Sequence, residues 1–416
     1  MTPTPFGTIV AAPAWNKLIP DSTGSYVNGK WAPMASMHNS RIYFSTWVLP
    51  NGKVYAAGGE FGTGGGAAEL YDPLTDTWSP IPGLPGYSLA DANSQMLPDG
   101  RILQNSVYSE LQGFGLKNYY YNPDSNSFSV APQCFYPDDE ASWLKLPDNS
   151  ILYEVTDATA SQRYIPALNR WIPDADLPVS LYDSFGSETG AAVMLPDGRA
   201  LFLGSNGNTA FYTPTGDTTM GTWTAGPVIP NNLGAPDAAA SMLPNGQVLC
   251  AFAPVPNGSN MDSIFHPIMF FYLFDYTTDS FTQIPAPGGG WSINQPSCSS
   301  IMLNLADGNI LFGVEGSNQY YVYTPAGPPA PAGKPTVDTV TATDCQYMIT
   351  GTLFNGISQG SAYGDDWQMA TNYPMVRLIA NGHTYYTRTT NWNRTGISTG
   401  SLPDTAFFRS THRHPL

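Results

Sequence analysis

The stretch Asp91-Ala-Asn-Ser-Gln-Met-Leu-Pro-Asp-Gly-Arg-Ile-Leu103 decides the fold, because its second half recurs along the chain. Each copy places a Pro-Asp-Gly type of turn between two apolar runs. Proline fixes φ at the first turn position and Gly or Asn accepts φ > 0, so each copy predicts a β-hairpin. The six copies start 48, 49, 49, 48 and 62 residues apart, at Leu49-Pro-Asn-Gly52, Leu97-Pro-Asp-Gly100, Leu146-Pro-Asp-Asn149, Leu195-Pro-Asp-Gly198, Leu243-Pro-Asn-Gly246 and Leu305-Ala-Asp-Gly308.

A second recurring pattern follows each hairpin by about twenty residues. It consists of a tyrosine or other apolar residue, a polar turn, and then Trp or Phe, as in Leu70-Tyr-Asp-Pro-Leu-Thr-Asp-Thr-Trp78. Four antiparallel strands in each repeat of this length are typical of a β-propeller blade. With Gly58-Gly59 after the first inner strand, the pattern predicts an all-β chain with a kelch-type propeller. We expect six blades, or seven if the irregular N-terminus contains another.

Composition excludes several classes of function. The formal net charge is −16 and no Lys/Arg cluster occurs, so nucleic acid is not an expected partner. No apolar run is long enough to predict a membrane span. The four cysteines contain no CxxC pair, which leaves their pairing open. Low Lys content with abundant Thr, Ser, Asn and Gly favours an extracellular or periplasmic location, although the chain starts with no recognisable signal peptide.

The pattern predicts three segments: a propeller over residues 1–324, a Pro-rich linker over 325–335, and an immunoglobulin-like β-sandwich over 336–416 that is truncated by one or two strands. The sixth repeat lacks a Trp strand, whereas Ser25-Tyr-Val-Asn-Gly-Lys-Trp31 is an outer strand without a hairpin before it. We therefore expect the strand that contains Trp31 to complete the last blade and close the ring, which would remove an exposed sheet edge.

This organisation, together with Met369-Ala-Thr-Asn-Tyr-Pro-Met-Val-Arg377 in the C-terminal domain, resembles the galactose oxidase and glyoxal oxidase superfamily. The resemblance covers about residues 25–400. It implies a copper centre held by two tyrosines and two histidines, one tyrosine being crosslinked to a cysteine. Tyr43 occupies the offset of the crosslinked tyrosine. However, Cys298-Ser299 stands at the place of a Tyr-His pair, and Thr390 at the place of the C-terminal histidine, so we expect no copper and no cofactor.

Polar residues recur where the innermost strands begin, at the face where propellers bind ligands. Tyr43, Asp91, Glu140 and Asp237 all lie eight residues before the turn Asp or Asn, and Glu188 lies nine before it. Carboxylates that converge on one channel mouth repel one another, which raises some pKa values or recruits a cation or a polyhydroxyl ligand. The candidate ligand-binding residues are Tyr43, Asp91, Asn93, Glu140, Glu188, Asp237, Cys298 and Ser299.

The sequence predicts that this acidic mouth binds a small polar or carbohydrate-like molecule. One alternative is a hydrolase, lyase or isomerase that uses Asp91, Glu140, Asp237 and Tyr43 as catalytic groups. A second alternative is a copper radical oxidase of alcohols or aldehydes. A third explanation needs no ligand, because acids at blade tops can instead accept hydrogen bonds from backbone N–H groups of the next blade. The pattern leaves the ligand, the reaction and the oligomeric state open.

Overall fold

The computed structural model describes residues 6–10, 15–60, 63–84, 86–90, 92–109, 113–137, 139–343, 346–359, 361–362 and 372–409. Over these residues the chain is built almost entirely of antiparallel strands, which form six propeller blades, a two-stranded N-terminal hairpin and a five-stranded C-terminal sheet. The predicted all-β class and the number of six blades are confirmed. No helix in these residues is long and apolar enough to cross a membrane.

The first three blades follow the predicted repeat. Blade 1 contains Ser45–Val48, Val54–Ala57, Ala68–Asp72 and Thr77–Ile81. Blade 2 contains Tyr87–Ser88, Ser94–Met96, Ile102–Ser109, Gly113–Asn122 and Ser127–Val130. Blade 3 contains Leu144–Lys145, Ile151–Glu154, Ser161–Ile165, the 3₁₀ turn Pro166–Leu168, and Arg170–Pro173.

The last three blades include short additions between the main strands. Blade 4 contains Thr189–Met194, Ala200–Gly204, Thr209–Thr213 and Thr222–Ala225. Blade 5 contains the 3₁₀ turn Pro230–Asn232, Leu233–Gly234, Ala240–Met242, Val248–Pro254, the helix Met261–Ile264, Met269–Asp275, Ser280–Ile284 and Ser292–Ile293. Blade 6 contains the 3₁₀ turn Ser297–Ser299, Ser300–Asn304, Ile310–Val314, Gln319–Tyr323 and the N-terminal strand Phe6–Val10.

An N-terminal strand closes the ring, but it is not the strand that the sequence predicted. Phe6–Val10 pairs with Gln319–Tyr323 over five residues and becomes the outer strand of blade 6. The strand Lys30–Pro33, which contains Trp31, pairs with Asn16–Ile19 in a separate hairpin instead. The Trp31 ring packs on Tyr320 with ring centroids 5.1 Å apart, so it covers blade 6 without extending its sheet.

The core lies between neighbouring blades. Apolar residues of each sheet pack against the next sheet, and buried tyrosines from consecutive blades stack, as Tyr55 and Tyr121 do with ring centroids 4.8 Å apart. The Tyr55 hydroxyl donates a hydrogen bond of 3.0 Å to Gln104 Oε1 on blade 2. The repeated aromatic positions of the sequence therefore join the blades into a ring.

The C-terminal sheet contains Thr336–Ala342, Tyr347–Thr352, Pro403–Phe408, His383–Thr390 and Met375–Ala380 in that spatial order, after the 3₁₀ turn Pro331–Gly333. The domain packs on the side of the propeller where the Leu-Pro-Asp-Gly turns lie. Asn391 N donates to Pro50 O, Thr395 Oγ1 donates to Leu97 O, and Ala330 N donates to Pro244 O. The turns that define the repeat thus also form the surface on which the C-terminal domain packs. The immunoglobulin-like class and the truncation stay predictions.

A short segment of the C-terminal domain enters the channel. Ser361–Ala362 pairs with Ala240–Met242, the innermost strand of blade 5, and also contacts the innermost strands of blades 4 and 6. Just before it, the Gln359 and Gln95 side-chain amides exchange two hydrogen bonds of 2.8 Å. The placement of Thr390 at the channel was therefore wrong: this residue lies against the turn at Gly52, and Ser361–Ala362 enters instead.

Candidate functional site

Three carboxyl groups from successive blades converge at the channel mouth opposite the C-terminal domain. Glu140 precedes the inner strand of blade 3, Glu188 that of blade 4 and Asp237 that of blade 5. One carboxyl oxygen from each residue lies within 4.8 Å of the other two. Glu188 and Asp237 are only 7% and 8% exposed, whereas Glu140 is half-buried. We call these three residues the acidic triad.

Thr189 links the backbone at all three triad positions. Its hydroxyl donates a hydrogen bond of 2.7 Å to Glu140 O, and its carbonyl accepts one of 2.9 Å from Asp237 N. Because Thr189 directly follows Glu188, these two bonds tie the loops of blades 3 and 5 to the triad residue of blade 4. The repeat period places the acids at one end of the channel, and Thr189 explains their close approach.

Residues that lie eight positions before the turn Asp or Asn also share an unusual backbone conformation. Tyr43, Glu140 and Asp237 all adopt positive φ, at 52°, 58° and 47°. Left-handed backbone is uncommon for Tyr and Glu and costs roughly 1–3 kcal/mol, so the surrounding structure has to impose it. The recurring offset is therefore a recurring local conformation that starts each of these inner strands.

Asp183 positions the loop that presents Glu188. Its carboxylate accepts hydrogen bonds from the backbone N–H groups of Phe185, Gly186 and Glu188, at 2.8, 2.7 and 3.2 Å. The Ser205 hydroxyl adds a fourth bond of 3.2 Å. Asp183 thus accepts hydrogen bonds from its own loop, not from the next blade, and holds the loop that carries Glu188.

The Glu188 carboxyl has little to stabilise its charged form. Burial raises its pKa well above the ordinary glutamate value, and the neighbouring carboxylates of Asp237 and Glu140 raise it further. Among the described residues, no donor reaches its buried Oε2 atom. Glu188 therefore keeps its proton to a higher pH than an ordinary glutamate does.

A second buried acid, Glu154, lies behind the triad and was missed by the sequence reasoning. It ends the second strand of blade 3, and burial raises its pKa to about 8. The backbone N–H groups of Glu154 and Ser142 offset only part of this effect. A glutamate at the end of a strand after Ile151-Leu-Tyr has no pattern that marks it as buried, so only the packing of blade 4 against blade 3 identifies it.

The other candidate residues are used within the fold. Tyr43 donates a hydrogen bond of 2.7 Å to Glu315 Oε2, which joins blade 1 to blade 6. The Ser299 hydroxyl donates to Pro296 O within its own 3₁₀ turn, which also contains Cys298. Asp91 lies outside the described residues. The structure thus brings Glu140, Glu188 and Asp237 together and gives Tyr43 and Ser299 other partners.

Asn93 is a bridge between blades, not a group at the mouth. It is fully buried; its Nδ2 donates a hydrogen bond of 2.7 Å to Ala141 O, and its Oδ1 accepts one of 3.3 Å from Trp143 N. Its assignment to the ligand site is corrected accordingly, because blade 3 uses both ends of the amide.

The Asn93→Ala variant should therefore lose stability and not ligand binding. Removing the amide leaves two backbone groups of blade 3 without their partner, which costs about 1–3 kcal/mol for each buried unsatisfied group. Urea unfolding should show a lower midpoint, and Asn93→Asp should lose at least as much, because it buries a carboxylate whose oxygen would face Ala141 O. An Asn93→Ala protein with wild-type stability would contradict the bridging role.

Comparisons with known proteins agree with this architecture. The Kelch motif family matches residues 47–85, which correspond to blade 1. An F-box/kelch-repeat protein of Arabidopsis thaliana is 42% identical over 121 residues, which are 24% of this chain and 25% of that protein. The chain therefore matches only about a quarter of the length of that relative.

The chain is also similar along its whole length to a solved structure. That structure is a fungal alcohol oxidase of the AA5 family in complex with copper; the TM-score is 0.61 and the alignment covers 98% of this chain and 99% of the other. Sequence identity is 15%, so this similarity establishes the fold alone.

Proposed function

We propose that this chain, a kelch-repeat β-propeller of the galactose-oxidase-like superfamily, binds a small polyhydroxylated molecule of the carbohydrate type at its acidic channel mouth. The observation that carries the proposal is the convergence of Glu140, Glu188 and Asp237 from three successive blades. Glu188 is buried beside two other acids, and among the described residues no basic side chain forms an ion pair with it.

The chemistry of the triad suits hydroxyl groups. Ionised carboxylates accept strong charge-assisted hydrogen bonds, and a protonated carboxyl can donate one. Because its pKa is raised, Glu188 supplies a donor beside the acceptors of its neighbours. A sugar hydroxyl donates and accepts at once, so it can satisfy both kinds of group.

The structure favours entry from the triad side. The C-terminal domain covers the opposite side, and Ser361–Ala362 pairs with an innermost strand inside the channel. Glu140 is the most exposed member of the triad, so a ligand would meet this carboxyl first. We place the protein in an extracellular or periplasmic setting on its composition, as the sequence predicted.

The available side chains do not fit a copper radical centre. The triad is a set of carboxylate oxygens, whereas copper in this superfamily is held by tyrosines and histidines. Ser299 bonds its own turn, and the C-terminal segment 359–371, which includes the strand in the channel, contains no histidine in its sequence. We therefore propose binding without copper and derive no redox step.

Titration of monosaccharides and linear polyols by calorimetry tests the proposal. We expect binding to the wild type and at least tenfold weaker binding to Glu188→Gln and Asp237→Asn, which keep size but remove acid chemistry. Stability should stay equal or rise slightly, because like-charge repulsion is relieved. Asp176→Asn removes one exposed acid elsewhere and is the matched control. Equal affinity of the triad variants and the wild type would refute the site, and uniform destabilisation would favour structural acids.

A second candidate is a hydrolase, lyase or isomerase in which Glu188 acts as general acid. The raised pKa of Glu188 favours it, because a carboxyl that keeps its proton to higher pH is better suited to deliver one. Turnover that falls as Glu188 ionises, and a lost alkaline limb of the pH profile in Glu188→Gln, would support this reading. If glycosides and sugar acids bind but none is turned over, the enzyme hypothesis is refuted and the binding function is supported.

A further inference from the structure

We infer that the acidic triad of Glu140, Glu188 and Asp237 is a binding site for a hard divalent cation of the calcium class. The inference shares its residues with the proposed polyol site and rests on that assignment of the channel mouth. It names a ligand that neither the resemblance nor the comparisons assign to these positions.

The separations among the triad oxygens fit an ion between them. One oxygen from each of the three residues lies within 4.8 Å of the others. Calcium takes oxygen ligands at roughly 2.3–2.6 Å, so two ligands on opposite sides of it lie about 5 Å apart. Magnesium usually keeps several waters and is bound through one or two carboxylates, so three converging carboxylates favour calcium.

The buried Glu188 oxygen is the second observation that points to a ligand. Glu188 is 7% exposed, and the described residues place no donor on its Oε2 atom. An ionised carboxylate taken out of water costs several kcal/mol unless a partner compensates it. The Glu188 side chain approaches the carboxyls of Asp237 and Glu140, so that partner has to lie among three acids. A proton compensates the charge of one carboxylate, whereas a bound cation compensates all three carboxylates at once.

The acidic groups around Glu188 favour a cation. Glu140 faces Glu188 from the loop before blade 3 and Asp237 faces it from blade 5. On the Glu188 loop itself, Asp183 accepts hydrogen bonds from backbone amides. Glu154 adds a buried acid behind Thr189. These named neighbours are all acidic, so their combined charge favours a cation at this position.

Three carboxylates leave room in the coordination sphere. Calcium takes six to eight oxygens, so monodentate binding by the triad fills three positions and leaves the others for water or for ligand hydroxyls. Glu140 is half-buried, which leaves the solvent side of the ion accessible. A cation in this position would therefore contact the same polyol for which the mouth is proposed.

Calorimetric titration of chelator-treated full-length protein with CaCl₂ at pH 7.5 tests the inference, with MgCl₂ as the second probe. We expect calcium to bind at one site, with affinity at least tenfold lower in Glu188→Gln and unchanged in Asp176→Asn. Repeating the titration at pH 5.5 should weaken calcium binding.

Three outcomes would overturn the inference: no calcium binding at millimolar concentration, equal calcium affinity in Glu188→Gln and the wild type, or tighter binding of magnesium than of calcium. Melting curves establish that Glu188→Gln is folded, and Asp237→Asn provides a second variant if it is not. Polyol titration in EDTA separates this result from the proposed function. Polyol binding without calcium binding would support the proposed function and refute the calcium site. Calcium binding without polyol binding would support the calcium site and refute the proposed function.

Discussion

Deletion of residues 1–10 is expected to open the propeller ring and lower the melting temperature by roughly 10 °C or more. At roughly 2.1 cal/mol/K per residue, a propeller of about 320 residues shifts its Tm by about 1.5 °C for each kcal/mol, so this fall corresponds to about 7 kcal/mol. The deletion removes Phe6–Val10, whose five residue pairs with Gln319–Tyr323 complete blade 6. The third strand of that blade then becomes an exposed edge, which promotes association with other chains.

Deletion of residues 1–5 is the matched control, because it leaves the pairing of Phe6–Val10 intact. We expect the protein without residues 1–5 to keep the wild-type melting temperature and to remain monodisperse on size exclusion. We expect the protein without residues 1–10 to aggregate. A longer deletion, of residues 1–36, also removes the hairpin of Asn16–Ile19 and Lys30–Pro33 and should be no more stable than the deletion of residues 1–10. A protein without residues 1–10 that melts normally would show that the ring does not depend on this strand.

The Glu154→Gln variant is expected to be more stable than the wild type in alkaline solution. The pKa of Glu154 is about 8 in the folded protein and near its model-peptide value of 4.5 when unfolded. Between these values the unfolded chain has released a proton that the folded chain retains. The stability contributed by the neutral carboxyl is therefore fully present below pH 4.5 and is lost as pH rises through about 8, by on the order of 4 kcal/mol.

Urea unfolding of both proteins at pH 5 and pH 8.5 measures this effect. Glu154→Gln should match the wild type closely at pH 5 and exceed its stability by several kcal/mol at pH 8.5. The difference between the proteins is the quantity to compare, because buried Lys145, whose pKa burial lowers to about 7, also titrates in the upper part of this range. Asp176→Asn should follow the wild type at both pH values. Parallel pH dependence in Glu154→Gln and the wild type would place the Glu154 carboxyl in water.

The kelch repeat inferred from the sequence is confirmed by the Kelch motif match, and the fold is confirmed by the architecture shared with the copper alcohol oxidase. What the pattern could not supply was the identity of partners that are distant along the chain. Trp31 carries the outer-strand pattern, yet Phe6–Val10 closes blade 6. Any strand of suitable length can form backbone hydrogen bonds with the open edge of blade 6. The sequence pattern alone therefore does not decide which of two N-terminal strands pairs there.

The same limit applies at the mouth of the channel. The shared offset of Glu140 and Asp237, with Glu188 one residue further back, predicted that the acids lie at one end, because residues with one period occupy one level of a propeller. Nearness to that offset did not separate the triad from Asn93, which lies two residues after Asp91 and bonds blade 3 instead. Whether a polar side chain turns to the channel or to the next blade depends on which hydrogen-bond partners the neighbouring blade offers.

The local pattern was sufficient for the six hairpins, the all-β class and the common level of the acids, since turn chemistry and strand alternation are properties of neighbouring residues. Tertiary structure decided the closing strand, the entry of Ser361–Ala362 into the channel, and the contact of Glu140, Glu188 and Asp237 through Thr189. It also decided that Glu188 and Glu154 lose their water, which raises their pKa values. Desolvation depends on every residue packed around a group, and those residues come from blades far apart in the chain.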